Sequence, residues 1–217
     1  MILDTIQERH SVRSFISKDV PEEIINNILE AGRLATSWVN VQPWHFIVVK
    51  DAETRKLLSK LAYGQTHVAQ APVVIVCCGD LSAWDQDNYR KILQSRPGIT
   101  EERINTIIND PTYNPKVKGH EALIYRTVEE VTYATAYMTL EACEKGLSSC
   151  IIGRISNELT GMLPDIDVDV RKKLNLPDNF IIISFLLIGY ADPELTVLNK
   201  SRKSFEKVVS FEKYENR

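Results

Sequence analysis

The sequence predicts one domain of mixed α and β structure. Apolar runs of strand length alternate along the chain with segments of helical period. No repeat, low-complexity tract or linker interrupts the 217 residues, a length that suits one domain (1–217) with a substantial core. Apolar residues are 44% and charged residues 25%, as in ordinary globular chains.

The elements follow in order. A short apolar stretch (Ile2, Leu3, Ile6) precedes a polar, basic segment. Residues 21–35 predict a helix: Pro21 suits a first helical position, Glu22 and Glu23 suit the positive end, and Ile24, Ile25, Ile28 and Ala31 make one face. Residues 45–50 predict a strand, after which Asp51 can cap a helix striped by Leu57, Leu58 and Leu61. Val73 to Cys78 is a second buried strand. Residues 80–120 form an excursion of amphipathic pieces with a turn-rich stretch, 110–115. Residues 121–145 predict a long helix. Its centre carries apolar or small side chains nearly all round, so burial is expected on every side, and Gly146 is its C′ residue. Residues 157–163 and 168–174 predict short helices, and Phe180 to Ile188 a central strand.

Charge and composition exclude several classes. A formal net charge of -3 gives no general attraction to nucleic acid or acidic membranes. The longest apolar runs, such as 180–187, are too short to span a bilayer. Asp4 and Glu8 interrupt what would be a secretory leader. Cys77, Cys78, Cys143 and Cys150 form no Cys-x-x-Cys pair, so a cytoplasmic protein with reduced thiols is expected. His10, His45, His67 and His120 lack ligand spacing, and no metal site is expected. Residues 165–169 begin like a calcium loop but lack its glycine and closing glutamate, which leaves helix capping and surface charge. No Gly-x-Gly-x-x-Gly, P-loop or Gly-x-Ser-x-Gly is present.

Two segments near the N-terminus carry the functional signal: Arg9-His10-Ser11-Val12-Arg13, and Ser37-Trp38-Val39-Asn40-Val41-Gln42-Pro43-Trp44. Two guanidiniums and a hydroxyl within one short segment suit a phosphate, because the planar guanidinium donates two parallel hydrogen bonds. A solvated basic turn at a helix end is the plain alternative.

Together with Gln70 to Val76, Gly146 to Gly153 and Lys200-Ser201-Arg202, taken in this order, these segments resemble the nitroreductase family of FMN-dependent oxidoreductases. The resemblance spans nearly the whole chain. It implies an α+β nitroreductase-like fold, with a central mixed, mostly antiparallel sheet surrounded by helices. It also implies an intertwined homodimer with flavin sites at the subunit interface. On that pattern Arg9 and Ser11 meet the FMN phosphate or ribityl chain, Arg13 reaches the N1/O2 edge of the ring, and His10 adds its backbone or ring. Lys200 and Arg202 complete the phosphate clamp. Ser37, Trp38 and Asn40 reach the flavin of the opposite subunit. Ile151, Ile152 and Gly153 place backbone near N5, and Gln65 places an amide beside the ring. The chain departs from the pattern at Thr36, where proline is usual, and at Trp38, where a smaller residue is common. That bears on substrate size rather than on cofactor binding.

The resemblance implies hydride transfer from NAD(P)H to a nitroaromatic, quinone or similar small planar acceptor by ping-pong turnover, with no side-chain acid or base required. Reductive dehalogenation and FMN destruction for the cobalamin lower ligand are alternatives in the same family. Their lid lies between the first two strands, where this chain holds little more than one helix (51–71). A non-catalytic flavin store or redox sensor is the rival from another class. The excursion reads as a substrate lid bearing Trp84, Tyr89 and Tyr113, or equally as a helical pair in the dimer interface. The tail, 203–217, supplies Phe205, Val208, Val209, Phe211 and Tyr214 to wrap a partner.

Overall fold

The computed structural model describes residues 1–157, 160–194 and 201–214. Its centre is a four-stranded sheet made of β1 (Trp44–Val49), β2 (Val73–Asp80), β3 (Ser148–Ile152) and β4 (Phe180–Gly189), in the order β1-β2-β4-β3. Every strand pair is antiparallel, with Trp44 opposite Gly79, Val73 opposite Ile188 and Ser148 opposite Gly189. Among the described residues the parallel component expected of a mixed sheet is confined to an isolated bridge, Ser11 to Ser149, on the outer edge of β3.

β2 is buried from Val73 to Gly79, because helices cover both faces of the sheet. Strand alternation sorts its side chains. Val73, Ile75 and Cys77 join Leu186 and Ile188 of β4 against two helices, α2 (Glu22–Arg33) and α8 (His120–Glu144). Val74, Val76 and Cys78 join Phe185 and Leu187 on the other face, against α3 (Ala52–Leu61), α4 (Thr66–Gln70) and α9 (Pro164–Leu174). α3 starts where its cap is: Asp51 Oδ2 accepts the Thr54 amide at 2.8 Å. α2 and α8 approach closely at Gly32, where a Cβ would stand 2.9 Å from Met138 Cγ.

α8 ends as expected. Gly146 takes φ 71°, its amide donates to Cys143 O at 2.9 Å, and Leu147 N donates to Ala142 O at 2.8 Å. This pair of bonds closes the last turn. The expectation of burial on every side is corrected. Leu123, Thr127, Val131, Ala134 and Met138 are buried, but Tyr125, Tyr133 and Tyr137 on the opposite face are 70%, 39% and 43% exposed. Small residues such as Ala136 made that face look like core.

The short helix expected at 157–163 is also corrected. Among its described residues no helix forms. Leu163 precedes Pro164, which disfavours helical torsions, and sits at φ -135°, ψ 64°. Its amide donates to Ser156 Oγ at 2.8 Å instead. Pro164 then opens α9, four residues ahead of the expected start.

The excursion holds a 3-10 turn (Leu81–Trp84), α5 (Gln86–Gln94), α6 (Glu101–Asn109) and α7 (Pro115–Lys118). Tyr89 and Leu93 of α5 pack on Ile104, Ile107 and Ile108 of α6, a small core of its own. The turn-rich stretch is pinned. Asp110 Oδ1 accepts the Thr112 amide at 2.8 Å, and buried Asn114 donates to Ile108 O at 2.9 Å.

Candidate active site

The expected site residues fall into two groups, one at the C-terminal end of α8 and one beside its middle turns. The first starts at α1 (Ile2–Glu8), which lies on the C-terminal end of α8 through a Thr5 hydroxyl donating to Glu144 Oε2 at 2.8 Å. α1 ends at Arg9. The chain then runs along the outer edge of β3, where Val12 N donates to Ser149 O at 3.0 Å. Val12 is fully buried, whereas Ser11 and Arg13 on either side are exposed. His10 is half-buried, with Nδ1 2.9 Å from Glu8 O.

Strand geometry defines the backbone that this segment faces. The Ser149 carbonyl points away from β4, so two residues on the Ile151 amide points to the same free edge. Ile151 is 44% exposed, between the buried Cys150 and Ile152. Gly153 is exposed, and a Cβ there would meet nothing within 4 Å, so its backbone is open to approach.

Electrostatics show how close the group is. Burial pushes the Cys150 thiol up, while Arg13, Ser11 and Arg9 act on it in the opposite sense. The thiol therefore stays protonated, a small buried group rather than a nucleophile. Burial, then the charge of Arg13, lowers the pKa of His67, whose Nε2 is buried without a hydrogen-bond partner. Gln65 Nε2 donates to Ala62 O and to Arg154 O, each at 2.9 Å. One N–H thus holds the end of α3 and the other the loop after β3, which leaves the amide carbonyl for a ligand. Among the described residues neither Arg9 nor Arg13 makes an ion pair. Arg202 is exposed and turns its guanidinium onto Ser201 O at 2.9 Å. Lys200 lies outside the described residues.

The second group is the Ser37–Gln42 loop. Val39, Asn40 and Gln42 have φ of 55°, 62° and 50°. For a β-branched residue such as Val39 this conformation costs on the order of 1–2 kcal/mol. Neighbours hold it in place. Gln42 N donates to Ser37 Oγ, and Gln42 Nε2 to Asn40 O, each at 3.2 Å. Trp38 N donates to Glu130 Oε2 of α8 at 3.0 Å, and the Arg126 guanidinium stands 4.5 Å from the Trp38 ring centroid. Val39 packs on the α5–α6 core, and Val41 on Trp84 and Leu123.

Trp84 and Tyr89, expected to stack on a substrate, are corrected: both are fully buried. Trp84 Nε1 donates to Thr127 Oγ1 at 3.2 Å, and Tyr89 OH donates to Tyr113 O at 3.1 Å. They form the floor under the loop. Of the aromatic trio only half-buried Tyr113 faces open space. It lines a cavity of 760 Å³ with Trp38, Pro111, Lys118, Tyr125 and Arg126. Sequence reading missed Arg126, Tyr125 and Glu130. Glu130 left a trace, a carboxylate beside the buried stripe of α8.

Trp38 meets α8 at Glu130, whereas Arg9 and His10 line a small hollow with Cys143 and Leu147. At 1.5 Å per residue these anchor points lie on the order of 20 Å apart along the helix. Among the described residues no helix is long and apolar enough to cross a membrane, and no cluster of His, Cys, Asp or Glu is arranged to hold a metal ion.

Comparison with known proteins gives the family and the fold. Residues 6–190 match the Nitroreductase family. A protein of Thermus thermophilus named NADH dehydrogenase is 29% identical over 195 residues, covering 86% of this chain and 85% of that one. An iodotyrosine deiodinase of Nematostella vectensis is 23% identical over 206 residues, covering 94% and 72%. The crystal structure of a nitroreductase-like protein from Streptococcus mutans superposes with a TM-score of 0.78 at 23% identity, covering 96% of each chain. The chain belongs to the nitroreductase family, and its α+β fold is that of the family. It is an enzyme of the oxidoreductase class.

Proposed function

We propose that the chain is an FMN-dependent oxidoreductase that works as a homodimer with two shared flavin sites. The observation that carries the reading is the placement of Arg9, Ser11 and Arg13 beside the free edge of β3 at Ile151. Two guanidiniums without ion pairs and a His67 Nε2 without a partner among the described residues, with an open backbone at Gly153, fit a planar, phosphorylated group. In this reading Arg9 and Ser11, with Lys200 and Arg202, hold the phosphate, and Arg13 faces the pyrimidine edge of the ring. A cation there stabilises negative charge on the ring. The Ile151 amide is a donor for N5, with Ile152 and Gly153 giving room.

Bound FMN would supply the hydride chemistry, taken from NAD(P)H and passed in alternating turns to a nitroaromatic, quinone or similar acceptor. The chain's own residues bind, orient and limit access. The separation of about 20 Å between the two groups supports a shared site, since the loop of one subunit then serves the flavin held by the other. Exposed apolar groups on α1 and α8 provide the surface for a partner: Ile2, Leu3, Tyr125, Tyr133 and Tyr137.

The reading is tested by loading the purified protein with FMN and following NADH and NADPH oxidation anaerobically. Menadione, a nitroaromatic and an iodotyrosine serve as separate acceptors. Acceptor-dependent turnover with parallel double-reciprocal lines is expected for the quinone or nitroaromatic. Deiodination alone would move the chain to the dehalogenase branch, and flavin binding without turnover to a storage role.

Tyr113 gives a narrower test. Tyr113→Ala should change acceptor kcat/KM by roughly two- to twelvefold, as expected for loss of an aromatic contact. The flavin spectrum and the thermal midpoint should stay near the wild-type values. Unchanged kinetics for every acceptor would remove Tyr113 from the acceptor site.

A further inference from the structure

Glu130 has no part in the flavin chemistry, yet its position is unusual. The residue is 1% exposed, at a point on α8 where its neighbours Thr127, Val131 and Ala134 are core. Oε2 accepts the Trp38 amide at 3.0 Å, and Oε1 is buried with no hydrogen-bond partner. Burying a carboxylate is costly unless it is well paired. Burial pushes its pKa up, while the bond from Trp38 acts to lower it. The segment it holds is the strained one, with Val39, Asn40 and Gln42 all in the left-handed region.

The same helix holds the Trp38 side chain. Arg126 lies under the indole and pairs with Glu129, whose Oε1 accepts the Tyr133 hydroxyl at 2.7 Å. One turn of α8 thus fixes the Trp38 backbone through Glu130 and its ring through Arg126. With both held, the indole forms one wall of the 760 Å³ cavity that Tyr113 and Tyr125 also line.

We propose that Glu130 is a positioning residue for acceptor binding: its buried carboxylate clamps the Trp38 amide and fixes the indole as a wall of this cavity. The proposal rests on the reading that the acceptor enters there. A glutamine keeps an acceptor oxygen for the amide, whereas leucine keeps the volume and removes it. The indole is bulky and lines the cavity, so fixing its ring sets the space left for the acceptor.

The test compares wild type, Glu130→Gln and Glu130→Leu in two measurements. Hydrogen exchange of the flavin-free protein reports the clamp without reference to any activity. Residues 37–42 should lose protection in Glu130→Leu and keep it in Glu130→Gln, with β2 unchanged as the control for folding. In the FMN-loaded enzyme Glu130→Leu should raise the acceptor KM roughly tenfold with kcat nearly unchanged, and Glu130→Gln should restore it. Unaltered exchange at 37–42 in Glu130→Leu overturns the clamp. Altered exchange with an unaltered KM overturns its role in acceptor binding. Altered exchange in a protein whose wild type turns over none of these acceptors upholds the clamp and removes the proposed acceptor class instead.

Discussion

Replacing Arg9 with alanine is expected to weaken FMN binding roughly ten- to a hundredfold. A phosphate dianion that loses a charge-assisted partner forfeits about 1.5–3 kcal/mol. Arg202→Ala should act similarly, since the family pattern puts Arg202 in the same clamp. Riboflavin lacks the phosphate, so its affinity should move little with either change. Arg13→Ala should behave differently. It should weaken FMN and riboflavin together and lower the flavin reduction potential, because in the proposed site its charge faces the reduced ring rather than the phosphate. Fluorescence titration with both flavins separates these cases, and unchanged FMN affinity in Arg9→Ala would take that residue out of the clamp. No existing ion pair offsets the loss. Among the described residues Arg9 has no anionic partner to release, so the effect should appear at full size.

Deleting residues 204–217 is expected to abolish the dimer and stoichiometric FMN retention together. Phe205, Val208, Phe211 and Tyr214 are 62%, 63%, 78% and 83% exposed in the isolated chain. Apolar surface of this kind is costly to leave in water, at about 25 cal/mol per Å². It would join the exposed apolar face of α1 and α8 under a partner subunit. Analytical ultracentrifugation with flavin absorbance measures both quantities at once. A truncated monomer that kept one FMN per chain would contradict the shared site.

The parts of the fold legible in the sequence were those set by local chemistry. Asp51 announced the start of α3, Gly146 the end of α8, and the unbroken run of Val73 to Cys78 a strand buried on both faces. Segment order also made the nitroreductase family legible. The helix expected at 157–163 failed because Pro164 was not weighed against the apolar pattern. The face of α8 carrying Tyr125, Tyr133 and Tyr137 was misread because small and aromatic residues suit a core and a subunit interface alike.

The site was legible in its residue types and not in its geometry. The bridge from Ser11 to Ser149 joins segments far apart in the chain, and no local pattern encodes it. Trp84 and Tyr89 could not be told from stacking platforms by composition. Their burial follows from the excursion folding onto Val39 and Val41, a tertiary fact. Glu130 was passed over because a charged residue in a helix is ordinarily solvated.

The central claim is that each flavin site takes its clamp from one subunit and its loop from the other. Subunit mixing tests it most directly. One chain carries Arg9→Ala and Arg13→Ala, the other carries Ser37→Ala, Trp38→Ala and Asn40→Ala, and each is inactive alone. Refolded together at equal amounts, half of the dimers are mixed, and each mixed dimer holds one intact site and one doubly defective site. The account predicts recovery of about a quarter of wild-type acceptor reduction. Activity that stays at the level of the separate variants, although mixed dimers are shown to form, would contradict it.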